Sequence, residues 1–280
     1  MTNILKNEFE YLPKWKLLIK NIFINPLVNY LLPRRLLLHL LKTNRSPLLE
    51  ESIRSPGGWR SMHLSYERCA PVSVIDKFVL HYGIFPMGLR NRKRLMVGIL
   101  KELIQDYSKK SHVHIVGVGA GPGTNVIEAM AQAGKSNVTA YCLDLDDEAF
   151  AHGEILKKRH GLEADRVKYI KGNAIELEKH VNVTPQIIKL IGILEYLTDK
   201  EVVELLRFAY RVLTNQGVVV THSIYNRHGH ERFMKHFLNL RLRYRSVSQL
   251  LGILEASGFS NFKVETEPLG IYAAIVGRKD

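Results

Sequence analysis

Ile115-Val116-Gly117-Val118-Gly119-Ala120-Gly121-Pro122-Gly123-Thr124-Asn125 is the stretch whose reading decides the fold. Apolar residues run as a strand into glycines at alternate positions, and a helical pattern follows. Glycines at such a junction permit a tight turn and let the backbone approach a ligand at the positive end of a helix. The spacing excludes two other glycine loops. A dinucleotide fingerprint G-x-G-x-x-G needs a glycine at Pro122 or Thr124, and a phosphate loop needs Gly-Lys-Ser/Thr; neither occurs.

Downstream of this loop, strands and helices alternate, the pattern of a parallel sheet with helical crossovers. Strands are predicted at 113–118, 138–143, 167–171, 185–191, 217–223, 261–266 and 271–277. Helices are predicted at 124–133, 147–160, 174–180, 199–213 and 246–257. Upstream, residues 1–110 read as helical, with apolar clusters such as Leu36, Leu37, Leu38, Leu40 and Leu41 punctuated by prolines. Ser55-Pro56-Gly57-Gly58 and Pro86-Met87-Gly88 read as turns, and a helix is predicted over 91–107. The chain therefore divides into a helical cap, 1–110, and an α/β domain, 111–280, with a lid insertion at about 224–245.

The 280 residues carry a formal charge of +13. Residues 1–110 hold 19 Lys and Arg against 8 Asp and Glu, whereas 111–280 hold 21 against 19. The basic character belongs to the N-terminal region. It points either to an anionic partner or to a solvated helical surface. From Trp15 to Lys42, Leu and Ile clusters mix with Lys16, Lys20, Arg34, Arg35 and Lys42, so membrane-surface contact is one expectation. Cys69 and Cys142 lack metal-ligand spacing, which excludes a disulfide framework and a structural zinc site. No apolar run is long enough to span a bilayer, and Lys6, Glu8 and Glu10 break up any signal peptide. A cytoplasmic location is expected.

Two further elements join the glycine loop. Ala140-Tyr141-Cys142-Leu143-Asp144 is an apolar strand ending in a carboxylate, 21 residues beyond Gly123. A carboxylate at that tip can accept hydrogen bonds from two ribose hydroxyls; the other role open to it, capping the next helix, suits Asp146 better. Val167-Lys168-Tyr169-Ile170-Lys171-Gly172-Asn173-Ala174 ends a third strand in a polar side chain.

In this order and spacing, the three elements resemble class I S-adenosylmethionine-dependent methyltransferases over about residues 111–280. The resemblance implies a seven-stranded Rossmann-like sheet whose last strand is antiparallel. It implies S-adenosylmethionine as cofactor, with contacts from Gly117, Gly119, Ala120, Gly121 and Gly123 (loop and methionine end), Asp144 (ribose) with Leu145 next to it, and Asn173 and Ala174 (adenine). Gly192-Ile193-Leu194-Glu195-Tyr196-Leu197 matches the family's loop after strand four, so Gly192 joins the set. The chain departs from the family at Gly117, where an Asp or Glu is usual, and at Asn173, where Asp is usual.

Ligands of open α/β sheets bind beyond the carboxyl ends of the strands. His222 and Tyr225 in Thr221-His222-Ser223-Ile224-Tyr225, together with Glu195, are the candidate proton carriers. His228 and His230 are two apart without a third ligand, so no metal is expected. Trp59, Arg60, His63, Tyr66 and Glu67, and His81, Tyr82, Phe85, Arg90 and Asn91, form polar-aromatic clusters expected to line a substrate pocket closed by the N-terminal helices. The expected activity is methylation of a small molecule, the basic character pointing to an anionic one, with oligomeric state left open. Alternatives are ring closure of the cofactor's own aminobutyrate moiety with release of methylthioadenosine, prompted by Gly117, methylation of RNA, and a non-catalytic cofactor-binding subunit. No RNA-binding module is visible, and a nucleic-acid partner is not expected.

Overall fold

The computed structural model describes residues 9–43, 46–67 and 71–280. Cys69, Lys6 and Glu8 lie outside the described residues, as do the side chains of Leu37, Leu38, Leu40, Leu41, Lys42 and Tyr82. The chain forms two compact units. One comprises the described residues up to Arg94, with Tyr225–Tyr244 and Thr266–Tyr272; the other comprises Leu95–Ile224, Arg245–Glu265 and Ala273–Asp280.

The first unit is helical. Helix α1 runs over residues 14–31, with wide turns over Lys20–Ile24 and Leu27–Leu31. Pro26 lies between these turns and has no N–H to give the helical ladder; at the end of the second, the Leu32 N–H donates to the Leu27 carbonyl, five residues back, at 2.9 Å. There follow α2 (Arg34–Thr43), α3 (Pro47–Arg54), α4 (Trp59–Glu67) and α5 (Val74–Tyr82). Helix α6 (Ile84–Tyr107) begins seven residues before the predicted start and takes in Pro86-Met87-Gly88, read above as a turn. Pro86 falls in the first turn, where an N–H has no helical acceptor anyway. A Cβ on Gly88 would stand 2.8 Å from Ile271 Cδ1, so the glycine is needed for close packing and not for a turn.

Polar residues tie this unit together. The buried Arg90 guanidinium donates to both Glu10 carboxylate oxygens at 2.7 Å and to the carbonyls of Ser65 and Leu80. The buried Glu267 carboxylate accepts from Asn91 Nδ2 and from the backbone N–H groups of Leu269, Ile271 and Tyr272.

The second unit is built on a seven-stranded sheet: β1 (Val113–Val118), β2 (Val138–Asp144), β3 (Val167–Lys171), β4 (Ile187–Leu190), β5 (Val218–Ile224), β6 (Ser260–Thr266) and β7 (Tyr272–Arg278). Its order is β3-β2-β1-β4-β5-β7-β6. The first five strands are parallel, with registers such as Gly117↔Cys142 and Gly117↔Lys189. Residue 217 pairs with 279 and residue 225 with 271, so β7 runs antiparallel to β5. The crossovers are α7 (Thr124–Ala133), α8 (Asp147–Arg159), the short α9 (Leu177–His180), α10 (Asp199–Val212) and α12 (Val247–Ala256); α11 (Glu231–Phe237) belongs to the first unit. Local sequence explains their ends. Thr198 with Glu201 and Ser246 with Gln249 form capping boxes, and Asp146 accepts from the N–H groups of Glu148 and Ala149. Val116, Val118, Ile188 and Leu190 of the sheet pack with Leu205, Leu206, Leu250 and Leu254 in one apolar core. Alternation along the strands turns Gly117, Cys142 and Lys189 to the opposite face.

Among the described residues no helix is long and apolar enough to cross a membrane.

Candidate functional site

Strand order reverses at β1, which has β2 on one side and β4 on the other. The loops leaving such neighbours diverge and open a crevice at their carboxyl ends. The residues that the sequence assigns to the cofactor gather there. Gly119, Gly121 and Gly123 all have left-handed backbones, with φ of 59°, 54° and 78°. Gly123 is also the residue preceding α7, and no side chain caps that helix, so its first N–H groups remain available. A Cβ on Gly119 would come 3.1 Å from Ile193 Cδ1, which brings the β1 loop against the β4 loop. Beneath the loop, the Tyr169 hydroxyl of β3 donates to the Pro122 carbonyl at 3.2 Å.

Asp144 ends β2 and holds the loop. Its Oδ2 accepts from the Gly121 N–H at 2.6 Å, while Oδ1 accepts from the N–H groups of Leu145 at 2.8 Å and Asp146 at 3.2 Å. An ionised carboxylate has about four lone-pair positions, so acceptor capacity remains. Leu145 beside it is an exposed apolar side chain. Asn173 is exposed after β3, and its Oδ1 accepts from the Ile175 N–H at 3.1 Å, capping the short turn that begins at Ala174. The amide NH2 of Asn173 and a second lone pair on its oxygen face no such demand. Gly192 follows β4 with φ 81°, and a Cβ built on it meets nothing within 4 Å. A loop of left-handed glycines, an uncapped helix start, a strand-end carboxylate and open space at Gly192 together fit an adenosine-bearing cofactor.

At Gly117 a Cβ would lie 3.2 Å from Ala120 Cβ and 3.8 Å from Val126 Cγ2. An acidic side chain there would have to displace Ala120. In register beside it stands Lys189, buried at 4 % exposure and close enough to act on the Cys142 thiol. Burial still dominates that thiol and pushes its pKa up to about 12. A buried lysine thus stands beside the position where the resemblance implies a carboxylate. The sequence reading missed it, and its only signal was a lysine inside an otherwise apolar strand.

Of the proposed proton carriers, His222 and Glu195 come together, with His222 Nε2 3.5 Å from Glu195 Oε1 and both side chains buried. His222 is not at a strand tip: β5 continues to Ile224. Tyr225 belongs to the first unit, where its N–H donates to the Ile271 carbonyl at 2.8 Å. Arg245, at the end of the predicted lid insertion, is instead buried within the second unit. Its guanidinium donates to the Leu194 and Leu197 carbonyls, both at 2.6 Å, and to Asp199 Oδ1 at 2.8 Å. It pins the loop that carries Gly192 and Glu195.

The first unit has a cavity of its own, of about 200 Å³, walled by apolar side chains such as Leu48, Leu49, Phe85 and Met234. Lys20, Asn29 and His230 also line it. The His230 ring lies between those of Phe85 and Tyr244, and burial lowers its pKa to about 4. Burial likewise lowers Lys20 to about 8. His228 Nε2 contacts the Leu269 carbonyl at 2.8 Å, and among the described residues no cluster of metal-ligating side chains forms.

This sheet order, antiparallel last strand and clamped glycine loop define the Rossmann-like fold of class I methyltransferases. Residues 70–279 match the model of a family described as "Putative methyltransferase", and the chain belongs to that family. No curated protein sequence matches the chain. Among solved structures it resembles a protein from Bordetella parapertussis described as a possible exported protein, at 15% identity and TM-score 0.61, covering 89% of this chain and 97% of that one. An O-methyltransferase family protein from Burkholderia thailandensis aligns at 15% identity and TM-score 0.56, over 88% and 71%. Magnesium protoporphyrin IX methyltransferase from Synechocystis aligns at 10% identity and TM-score 0.57, over 86% and 99%.

Proposed function

We propose that this chain, an S-adenosylmethionine-dependent methyltransferase, acts on a small-molecule acceptor. The observation that carries the cofactor site is the Asp144–Gly121 clamp, which holds the glycine loop open at the sheet's reversal point. In this reading Asp144 turns its remaining lone pairs to the ribose hydroxyls. Leu145 covers one face of the adenine, and Asn173 and Ala174 meet its edge. The backbone of Gly117, Gly119, Ala120, Gly121 and Gly123, with Gly192 opposite, surrounds the methionine end.

When bound, the cofactor supplies an electrophilic methyl group. The chain's own work is to align the acceptor in line with it and keep water out. Where the acceptor's nucleophile starts protonated, His222 takes the proton at Nδ1, and the Glu195 carboxylate beside Nε2 steadies the resulting imidazolium. One of the similar structures bears the name of a methyltransferase for magnesium protoporphyrin IX, which supports a small acceptor. Arg90 and Arg245 are committed to internal partners, so neither is assigned to a negative charge on the acceptor.

Product analysis by mass spectrometry tests the proposal. S-adenosylhomocysteine that forms only when an acceptor is added is the expected result. Methylthioadenosine released without an acceptor would replace methyl transfer by self-cyclisation. Cofactor binding without either product across an acceptor screen would leave a binding subunit.

A further inference from the structure

Between Glu10 and Glu50 the sequence contains no acidic residue, while it contains seven Lys and Arg. Helix α1 lies in this stretch. Its outward side carries Trp15, Leu18, Ile22, Phe23, Tyr30 and Leu31, which are 53–71 % exposed. With Leu27, 45 % exposed, at the middle, they recur turn by turn along the helix and so make one continuous stripe. The opposite side is engaged: Val28 packs with Leu49 and Phe237, and Asn29 is buried. The exposed stripe is therefore a face distinct from the one that holds the helix in its unit, the two meeting at Tyr30, over whose ring the Arg232 guanidinium lies at 4.7 Å. Soluble monomers rarely leave so large a contiguous apolar surface in water, because each exposed side chain forgoes a stabilising burial.

The charges around the stripe select what covers it. Lys14 and Lys16 flank its start, and Arg34 and Arg35 follow its end; all four are exposed. A second copy of the chain placed on this face would bring a second acid-free, cationic stretch against the first. An anionic surface meets no such repulsion. Tryptophan and tyrosine at the two ends of the stripe, Trp15 and Tyr30, have the amphipathic rings that settle at a lipid headgroup boundary. The helix is too short and too charged to span a bilayer, which leaves it lying in the surface plane.

We infer that α1 docks the protein on an anionic phospholipid surface, with Trp15, Ile22, Phe23 and Tyr30 sunk to the acyl boundary and Lys14, Lys16, Arg34 and Arg35 on lipid phosphates. The inference goes beyond methyl transfer and does not depend on it.

The test uses the full chain and vesicles of phosphatidylcholine, alone or mixed with phosphatidylglycerol. The protein is expected to co-sediment with the mixed vesicles and to bind pure phosphatidylcholine at least tenfold more weakly, with added salt reducing binding further. The chain has two tryptophans, so in Trp59→Phe the emission reports Trp15 alone; it is expected to shift to the blue on the mixed vesicles. The double variant Phe23→Ser/Tyr30→Ser, checked for folding by circular dichroism, is expected to lose binding. Neutralising the four cations to glutamine is expected to weaken it at least tenfold. Failure to co-sediment, unchanged Trp15 emission, or full binding by the double variant would overturn the inference. So would a concentration-dependent dimer in light scattering that the double variant abolishes, because it would assign the face to a second copy.

Discussion

The Asp144 carboxylate accepts a hydrogen bond from the Gly121 N–H at 2.6 Å, so the residue assigned to the ribose also sets the shape of the glycine loop. Asp144→Ala removes both functions. Cofactor affinity is expected to fall by roughly 10- to 100-fold, the usual scale for losing hydrogen bonds to a charged group. Asp144→Asn is expected to weaken binding too, since its NH2 cannot accept from Gly121 or from a hydroxyl. Calorimetric titration with S-adenosylhomocysteine measures both; unaltered affinity in Asp144→Ala would remove the residue from the site.

Two glycines in the site are expected to differ in what they tolerate. Gly192→Ala places a Cβ in open space at φ 81°, so only left-handed strain opposes it, about 1–2 kcal/mol. Gly123→Ala adds a Cβ 2.9 Å from the buried Cys142 Sγ to similar strain. Its cost is expected to be larger, about 2–4 kcal/mol. Denaturant unfolding of the two variants should rank them in that order.

Arg245→Met strips two carbonyls, those of Leu194 and Leu197, of their charged donor. The exposed Asp199 loses little, because water replaces its partner. The expected destabilisation is about 2–4 kcal/mol, with faster hydrogen exchange over residues 191–199. Arg245→Lys should recover only part of it, because an ammonium lacks the guanidinium's planar fork. Exchange that stayed unchanged in Arg245→Met would show that the loop holds itself.

Stability is expected to depend on pH through His230. Burial, with smaller contributions from His228 and Lys20, lowers its folded pKa from 6.5 to about 4. The unfolded chain therefore binds more protons between these values, and stability falls as pH drops from about 6.5 towards 4. The loss is on the order of 3 kcal/mol. His228, also lowered by burial, acts in the same direction. Urea titrations across this range should show the slope, and His230→Phe should flatten most of it.

The α/β half of the fold was legible because its signals are local. Glycines end β1, Asp146, Thr198 and Ser246 start helices, and apolar runs of strand length separate them. The predicted β1, β3 and α7 coincide with the observed Val113–Val118, Val167–Lys171 and Thr124–Ala133. Pro86-Met87-Gly88 misled because proline is tolerated in a first helical turn, and because the contact that requires Gly88 comes from Ile271, far along the chain. Lys189 and Arg245 were opaque for the same reason. A basic side chain reads as solvated until tertiary structure supplies carbonyls or a neighbouring strand to surround it. The loop glycines and Asp144 could be placed from spacing alone, whereas the approach of His222 to Glu195 depends on how β5 lies beside β4.

Glu267 gives the first unit an unusual birth. Its carboxylate ties Asn91 to Leu269, Ile271 and Tyr272, which follow it 178 to 181 residues later. A ribosome delivers Asn91 181 residues before Tyr272. Arg90 can find Glu10, Ser65 and Leu80 as soon as it emerges, but this knot cannot close until Tyr272 has been made. The Glu267 contacts of this unit must therefore wait while β1 to β6 are synthesised. Folding strictly from the N-terminus onward, the usual order for a nascent chain, cannot complete this unit: one of its polar ties arrives only after six strands of the sheet have been made.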